Sequence, residues 1–408
     1  MPSADPVLRK ELFDLPEGLI YLNGNSLGPL PRHVPERLRR VVCDEWGKLL
    51  IRGWNLGCDG QGWVDLPARL GARIGRLIGA PEGAVVAGDS TTVNVVKALS
   101  AALELQRADS PGKLTVLSDS GNFPTDLYAA QELCRALGRG LRLKVVAPEE
   151  VADAIDDGVA ALMLTEVDYR TGRRHDMAAL TARAHQAGAL AIWDLAHSAG
   201  AMPVDLAGAD VDFAVGCGYK YLNGGPGAPA FIYAAPRLAD RIAPAVAGWM
   251  GHAAPFAFEP AYRPAPGADR LRVGTPPILS MVALDAALDV WEGVDLAAVR
   301  ARSLELSERF VARVEAACAG ELELASPRDP NARGAQVSFR HPEGYAVMQA
   351  LIAQGVIGDF RAPDLIRFGF APLYLSAEEV DAAAAILART LEARLWDDPR
   401  HRVRAKVT

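Results

Sequence analysis

The sequence predicts an α/β protein, with a large domain built on a mainly parallel, helix-covered sheet and a smaller C-terminal α/β domain. Two patterns carry that prediction. From about residue 83, short apolar runs alternate with amphipathic stretches, and near residue 290 the rhythm restarts after a long helical run. KLTVLSD (113–119), LRLKVVA (141–147), VAALMLTEV (159–167), ALAIWDL (189–195) and VDFAVGC (211–217) read as buried strands. Between them, TDLYAAQELCRAL (125–137) and DMAALTARAHQAG (176–188) repeat apolar residues at helical spacing, and Gly188 closes the second. Strand, helix, strand in succession argues for parallel neighbours covered on both faces.

After the helical run 295–320, QVSFR (336–340) and DLIRFGF (364–370) read as strands, and EGYAVMQALIAQG (343–355) as a helix. SAEEVDAAAAILARTLEARLW (376–396) is the final helix, opened by Ser376 and Glu379 at capping-box spacing. The expected division is an arm with a first helix (1–50), a large domain (51–290), a small domain (291–396) and a basic, fraying tail (397–408). The arm is expected to pack on another part of the assembly.

A chain of 408 residues can build a core in each domain. Half its residues are hydrophobic and 23% charged, the balance of an ordinary globular protein. A net charge of −7 gives no drive toward nucleic-acid phosphates or anionic lipid. No apolar run approaches the roughly 20 residues that span a bilayer. The opening stretch, MPSADPVLRKELFDLPEG, lacks a basic region followed by an apolar block, so a cytoplasmic location is expected. Cys43, Cys58, Cys134, Cys217 and Cys318 are scattered without a C-x-x-C pair and read as reduced, mostly buried thiols; no metal site is expected.

In a parallel sheet, the loops leaving the carboxyl ends of the strands build the ligand site. Three are chemically loaded: GNFPTD (121–126), DLAH (194–197) and the GYK at 218–220. Lys220 follows an apolar strand and precedes LNGGPGAP, so it is a surface charge, a phosphate clamp or a nucleophilic amine. A Walker loop sets its lysine after the glycines and before Ser or Thr, and no such sequence occurs. A desolvated amine at the sheet edge suits a Schiff base. Asp194 closes an apolar strand, where a carboxylate wants a cationic partner; the alternatives are a structural salt bridge and an acid facing the pyridine nitrogen of pyridoxal phosphate. His197 is either a packed histidine or a group orienting Asp194 or the phosphate. Ser90, Thr91 and Thr92 open an amphipathic helix, whose N-terminus suits an anion as well as a plain cap. Phe123 either plugs the core or stacks on a flat ring, with Asp126 bonding around it.

Together, YLNGNSLGPLP (21–31), STTVN (90–94), NFPTD (122–126), TGRRHDM (171–177), WDLAHSAG (193–200), GYKYLNGGPG (218–227), GWMGH (248–252), RVGTPPI (272–278) and IRFGFAPLY (366–374) resemble the kynureninases. These are pyridoxal-phosphate enzymes of aminotransferase class V and fold type I, and the resemblance runs over almost the whole chain. It implies a seven-stranded-type sheet and pyridoxal 5'-phosphate held as a Schiff base on Lys220. It also implies hydrolytic Cβ–Cγ cleavage of L-kynurenine to anthranilate and L-alanine, in tryptophan degradation. Carried over residue by residue, Lys220 also moves the Cα proton, Tyr219 is a candidate proton donor, and Asp194 faces the pyridine nitrogen. Thr91, Thr92, Phe123, Pro124, Thr125, Asp126, Thr165 and His197 surround the cofactor, and Trp249 and Thr275 reach it from the second subunit of a homodimer with shared active sites. Arg367 takes the position of the bidentate cation for the α-carboxylate. Trp54, Asn25 and Ser26 join it on the substrate side.

Two departures from the animal pattern matter. Trp54 stands where animal enzymes, which favour 3-hydroxykynurenine, have histidine, so plain kynurenine is the expected better substrate. Thr275 stands for an asparagine and keeps a hydroxyl for the phosphate. A cysteine desulfurase of the same class needs a mobile reactive cysteine near the C-terminal domain, and none follows Cys318. A non-catalytic ligand-binding relative would not need Lys220, Asp194 and Arg367 together.

Overall fold

Seven strands form the central sheet, and five of them are the runs just described. The computed structural model describes residues 7–57 and 60–404. Cys58 and the tail residues 405–408 lie outside the described residues. In chain order the strands are β1 (Val85–Ala87), β2 (Thr115–Asp119), β3 (Arg142–Val146), β4 (Val159–Thr165), β5 (Leu190–Asp194), β6 (Phe213–Cys217) and β7 (Ala230–Ala234). Their spatial order is β1-β7-β6-β5-β4-β2-β3. Only β7 runs against its neighbours, β1 and β6; the other pairs are parallel.

Strands β2, β4 and β6 are buried at every residue, as continuous apolar runs require. Strand β3 departs from expectation. It is the sheet edge, with Arg142 and Lys144 exposed, where cations discourage pairing with a second sheet. The crossovers are α1 (Thr91–Asp109), α2 (Pro124–Leu137) and α3 (Met177–Gln186). Ser90 caps α1 by accepting from Val93 N.

The second sheet is antiparallel: β8 (Glu323–Leu324), β9 (Gln336–Arg340), β10 (Asp359–Arg361) and β11 (Leu365–Gly369), in the order β8-β9-β11-β10. With it go α4 (Leu296–Ala317), α5 (Gly344–Ile352) and α6 (Ala377–Glu392). Phe310 of α4 is the core knob here, 4.9 Å from the Phe368 ring and 5.5 Å from Phe370. The capping box of α6 forms: Ser376 Oγ accepts from Glu379 N, and Glu379 Oε2 accepts from Ser376 N at 3.0 Å. Such a cap is worth about 1 kcal/mol.

The N-terminal arm is received within its own chain. Ile20–Tyr21 pairs in parallel with Val356–Ile357, and the chain then carries Asn25 and Ser26 across β11. Cys134, Cys217 and Cys318 are buried, whereas Cys43 is exposed. Among the described residues no helix is long and apolar enough to cross a membrane.

Candidate active site

Adjacent strand ends bring the chemistry together. Strand β5 ends at Asp194 and its parallel neighbour β6 at Cys217, three residues before Lys220. The loops after them, with the N-termini of α1 and α2, enclose a cavity of about 480 Å³. That volume suits a small ligand or cofactor. Thr91, Thr92, Phe123, Thr125, Asp126, Asp194, His197, Tyr219 and Lys220 line it. Lys220 Nζ lies 3.3 Å from His197 Nε2, 6.0 Å from the centre of the Phe123 ring and 5.8 Å from that of Tyr219. Phe123 does not plug the core: it is 42% exposed and stands edge-on to Tyr169.

The glycines around Lys220 have separate reasons. Gly225 and Gly227 adopt positive φ, which lets the chain turn away after the lysine and bring Ala228 and Pro229 back as cavity wall. Gly28 of the arm donates its N–H to Tyr219 O at 2.8 Å, and a Cβ there would stand 2.3 Å from Lys220 O. The arm thus braces the lysine loop through a contact only glycine allows.

Burial dominates the electrostatics. It pushes the Asp126 carboxyl well above the usual carboxylate range, and the neighbouring Asp194 charge adds to the effect, against Lys220. Burial raises Asp194 as well, opposed by Lys220 and by the Ala196 N–H that Asp194 Oδ1 accepts at 2.8 Å. His197 is driven far down, first by burial and then by the charges of Lys220, Arg367 and Arg361, so its ring is neutral at neutral pH. Burial likewise raises the Tyr219 hydroxyl, which keeps its proton. Asp126 Oδ1 has no hydrogen-bond partner among the described residues although Asp126 is 1% exposed. A buried acceptor left open in a cavity wall calls for a donor from a bound group.

This donor set fits pyridoxal phosphate. One amine can take the aldehyde, two buried acids can meet ring substituents, and an aromatic face stands open at Phe123. Thr92 Oγ1 and Thr125 Oγ1, 3.1 Å apart at two helix N-termini, are hydroxyls for a phosphate.

Other expected residues lie elsewhere. Thr165 is buried behind the cavity, its Oγ1 at 3.4 Å from the carbonyls of Val167 and Asp194. Pro124 is the first residue of α2 and does its work there, with φ set for a helix start. Trp54 packs edge-on against Trp63 and does not line the cavity. Trp249 is 41% exposed, against Phe256, and exposed Thr275 lines a neighbouring cleft with Asp89 and Lys97.

Arg367 is 1% exposed at the side chain and stands outside the cavity lining. Its Nε donates to Asp359 Oδ1 at 2.8 Å, its Nη2 to Asp359 Oδ2 and to Ser26 Oγ (2.8 Å), and its Nη1 to Tyr169 O. Asn25, amide oxygen inward, also accepts from Nε at 2.9 Å. Sequence reasoning did not single out Asp359, Arg361 or Tyr169. The D-x-R alternation at 359–361, set against I-R-F at 366–368, was the available signal.

Comparison with known proteins agrees with this geometry. The family model described as the kynureninase C-terminal domain matches residues 299–387. A kynureninase of Pseudomonas fluorescens is 50% identical over 401 residues, which is 98% of this chain and 95% of that protein. One of Deinococcus radiodurans is 52% identical over 96% of this chain and 95% of its own. Among solved structures, an apo cysteine desulfurase from Thermococcus onnurineus shares the fold at 18% identity and a TM-score of 0.77, covering 94% of this chain and 98% of its own. With half of its residues shared along nearly its full length, and with the amine, acids and aromatic wall in one cavity, this chain belongs to the kynureninase family.

Proposed function

We propose that this chain is a pyridoxal-phosphate-dependent hydrolase that cleaves the Cβ–Cγ bond of L-kynurenine to anthranilate and L-alanine, and 3-hydroxykynurenine less well. The observation that carries the proposal is the Lys220 amine set 3.3 Å from a neutral imidazole in a cavity walled by two buried carboxyls. When bound, pyridoxal phosphate supplies an electron sink for charge released at the substrate's α-carbon.

Each residue then has a task. Lys220 would hold the cofactor through its amine and would move the Cα proton; His197, neutral, accepts the hydrogen bond of that amine. Asp194 and Asp126 would hold the ring, Phe123 would cover a face, and Thr91, Thr92 and Thr125 would hold the phosphate, while Pro124 starts the helix that carries Thr125 and Asp126, and Thr165 bonds the Asp194 carbonyl. Tyr219, whose hydroxyl keeps its proton, is the donor to Cβ. Arg367, with Asn25 and Ser26, is the cationic side for the α-carboxylate, whereas Trp54, packed on Trp63, stands outside the cavity lining. Attack of water at the γ-carbonyl lets the aryl acyl group leave as the carboxylic acid.

The proposal includes a homodimer in the cytoplasm, with the chain divided at about 50, 290 and 396. Val42, Trp46, Leu50 and Ile51 form an exposed apolar run beside Leu56, and Trp249, Phe256 and Phe258 form another. A second copy covering these faces buries them and brings Trp249 and Thr275 to the neighbour's cavity. Light scattering is expected to give twice the chain mass; a monomer that turns over at full rate sinks the shared site. Incubating cofactor-loaded protein with L-kynurenine is expected to release anthranilate and L-alanine in equal amounts. Kynurenine left intact by such a preparation rules the reaction out.

A further inference from the structure

We infer that Arg361 is a further specificity-determining residue, a second cation for the substrate's α-carboxylate, and that Asp359 positions both arginines for it. The inference rests on the amino-acid reading above.

Strand register brings the three groups together. In the antiparallel pair β10–β11, Asp359 lies opposite Arg367, and Arg361, two residues on, shares the face of Asp359. Asp359 Oδ1 accepts from Arg367 Nε, while Oδ2 accepts from Arg367 Nη2 and from Arg361 Nη2 at 2.9 Å. Ser26 Oγ donates to the same carboxylate and accepts from both guanidiniums, at 3.1 Å from Arg361 Nη2. Burial pushes the Asp359 carboxyl up, and Arg367 and Arg361 more than reverse it, so the carboxylate is charged.

The charges do not cancel. Two guanidiniums meet one carboxylate, which leaves one positive charge in excess at a half-buried site. Arg367 spends its Nε and Nη2 on Asp359, Ser26 and Asn25, and turns Nη1 to Tyr169 O. A bidentate grip from Arg367 on a ligand would have to displace these partners. Arg361 is the more open of the two, with its side chain 30% exposed against 1% for Arg367. Its Nη1 reaches the Phe360 carbonyl at 3.3 Å, a weak contact for a charged donor.

The pair adjoins the cavity wall through Tyr169, whose carbonyl accepts from Arg367 Nη1. Both guanidiniums act on His197, the neighbour of Lys220. The Tyr169 ring stands edge-on to Phe123 of the cavity wall at 5.1 Å. Partly desolvated positive charge without a counterion is costly, and an arriving carboxylate relieves it. An amino acid whose amine reaches the Lys220 end therefore meets its carboxylate partner in Arg361, with Arg367 behind it.

The test compares L-alanine with L-alaninamide, which keeps the amine and lacks the carboxylate, by titrating the cofactor absorbance of the loaded protein. Arg361→Gln is expected to weaken L-alanine binding by about 10- to 100-fold and leave L-alaninamide unchanged. Arg361→Lys is expected to fall between, and KM for kynurenine to rise with kcat nearly kept. Equal losses for both ligands, or unchanged L-alanine binding in a variant that holds its cofactor normally, would overturn the assignment. If the parent protein releases no anthranilate yet prefers alanine over its amide, and Arg361→Gln abolishes that preference, the kynurenine reading fails and this assignment stands.

Discussion

Lys220→Ala is expected to lower kynurenine turnover by at least roughly 10²- to 10⁴-fold, the range for removing one proton-transfer group, with loss of covalent attachment added to it. The variant should still bind pyridoxal phosphate, because Phe123, Asp194 and the hydroxyls of Thr91 and Thr92 remain. It also removes the one charge that holds Asp126 and Asp194 down and helps to keep His197 neutral. Both carboxyls then rise further, so the cofactor-free variant should take up protons at a higher pH than the parent. Steady-state assays and a proton-uptake titration check the two halves. Turnover within tenfold of the parent would show that another amine does the chemistry.

Arg367→Ala is expected to strike stability and binding together. It leaves Asp359, nearly fully buried, without the guanidinium that grips both its oxygens. Breaking a buried pair costs about 3–5 kcal/mol, and the low end applies here because Arg361 still touches Oδ2. Urea unfolding of the cofactor-free protein measures that loss. KM for kynurenine should rise strongly while the cofactor absorbance stays. Replacing both partners, Arg367→Met with Asp359→Leu, separates the effects: stability should return in part, since the two apolar groups need no pairing while Arg361 and Ser26 lose the carboxylate, and KM should stay high. A double variant with normal KM would mean that the pair is structural only.

How much of this was readable in the chain depended on where each residue sits along it. Lys220 and Asp194 were legible because each follows an apolar strand, and a strand's carboxyl end is a fixed place in a parallel sheet. Phe123 and Asp126 were legible as the start of α2. Strand β7 was not, because AFIYA follows a glycine loop with no helix between and reverses direction against β6. Strand β10 is three residues with charges at both ends, which local propensity reads as coil. Its Asp359 and Arg361 gain meaning only when β11 lies beside them. The arm gave a similar lesson: its strand Ile20–Tyr21 finds its partner more than 300 residues away in its own chain, a pairing that no local pattern encodes.

The central claim is that Lys220 is the amine joined to the cofactor, and borohydride reduction followed by peptide mapping tests it most directly. Lys220 is partly exposed; Lys97 is a fully buried lysine, but its Nζ is committed to Asp89 Oδ2 at 2.7 Å and Leu271 O at 2.8 Å. The account predicts a yellow protein and a pyridoxyl group on the peptide containing Lys220 alone. An adduct on Lys97, or a colourless protein with Lys220 unmodified, would contradict it.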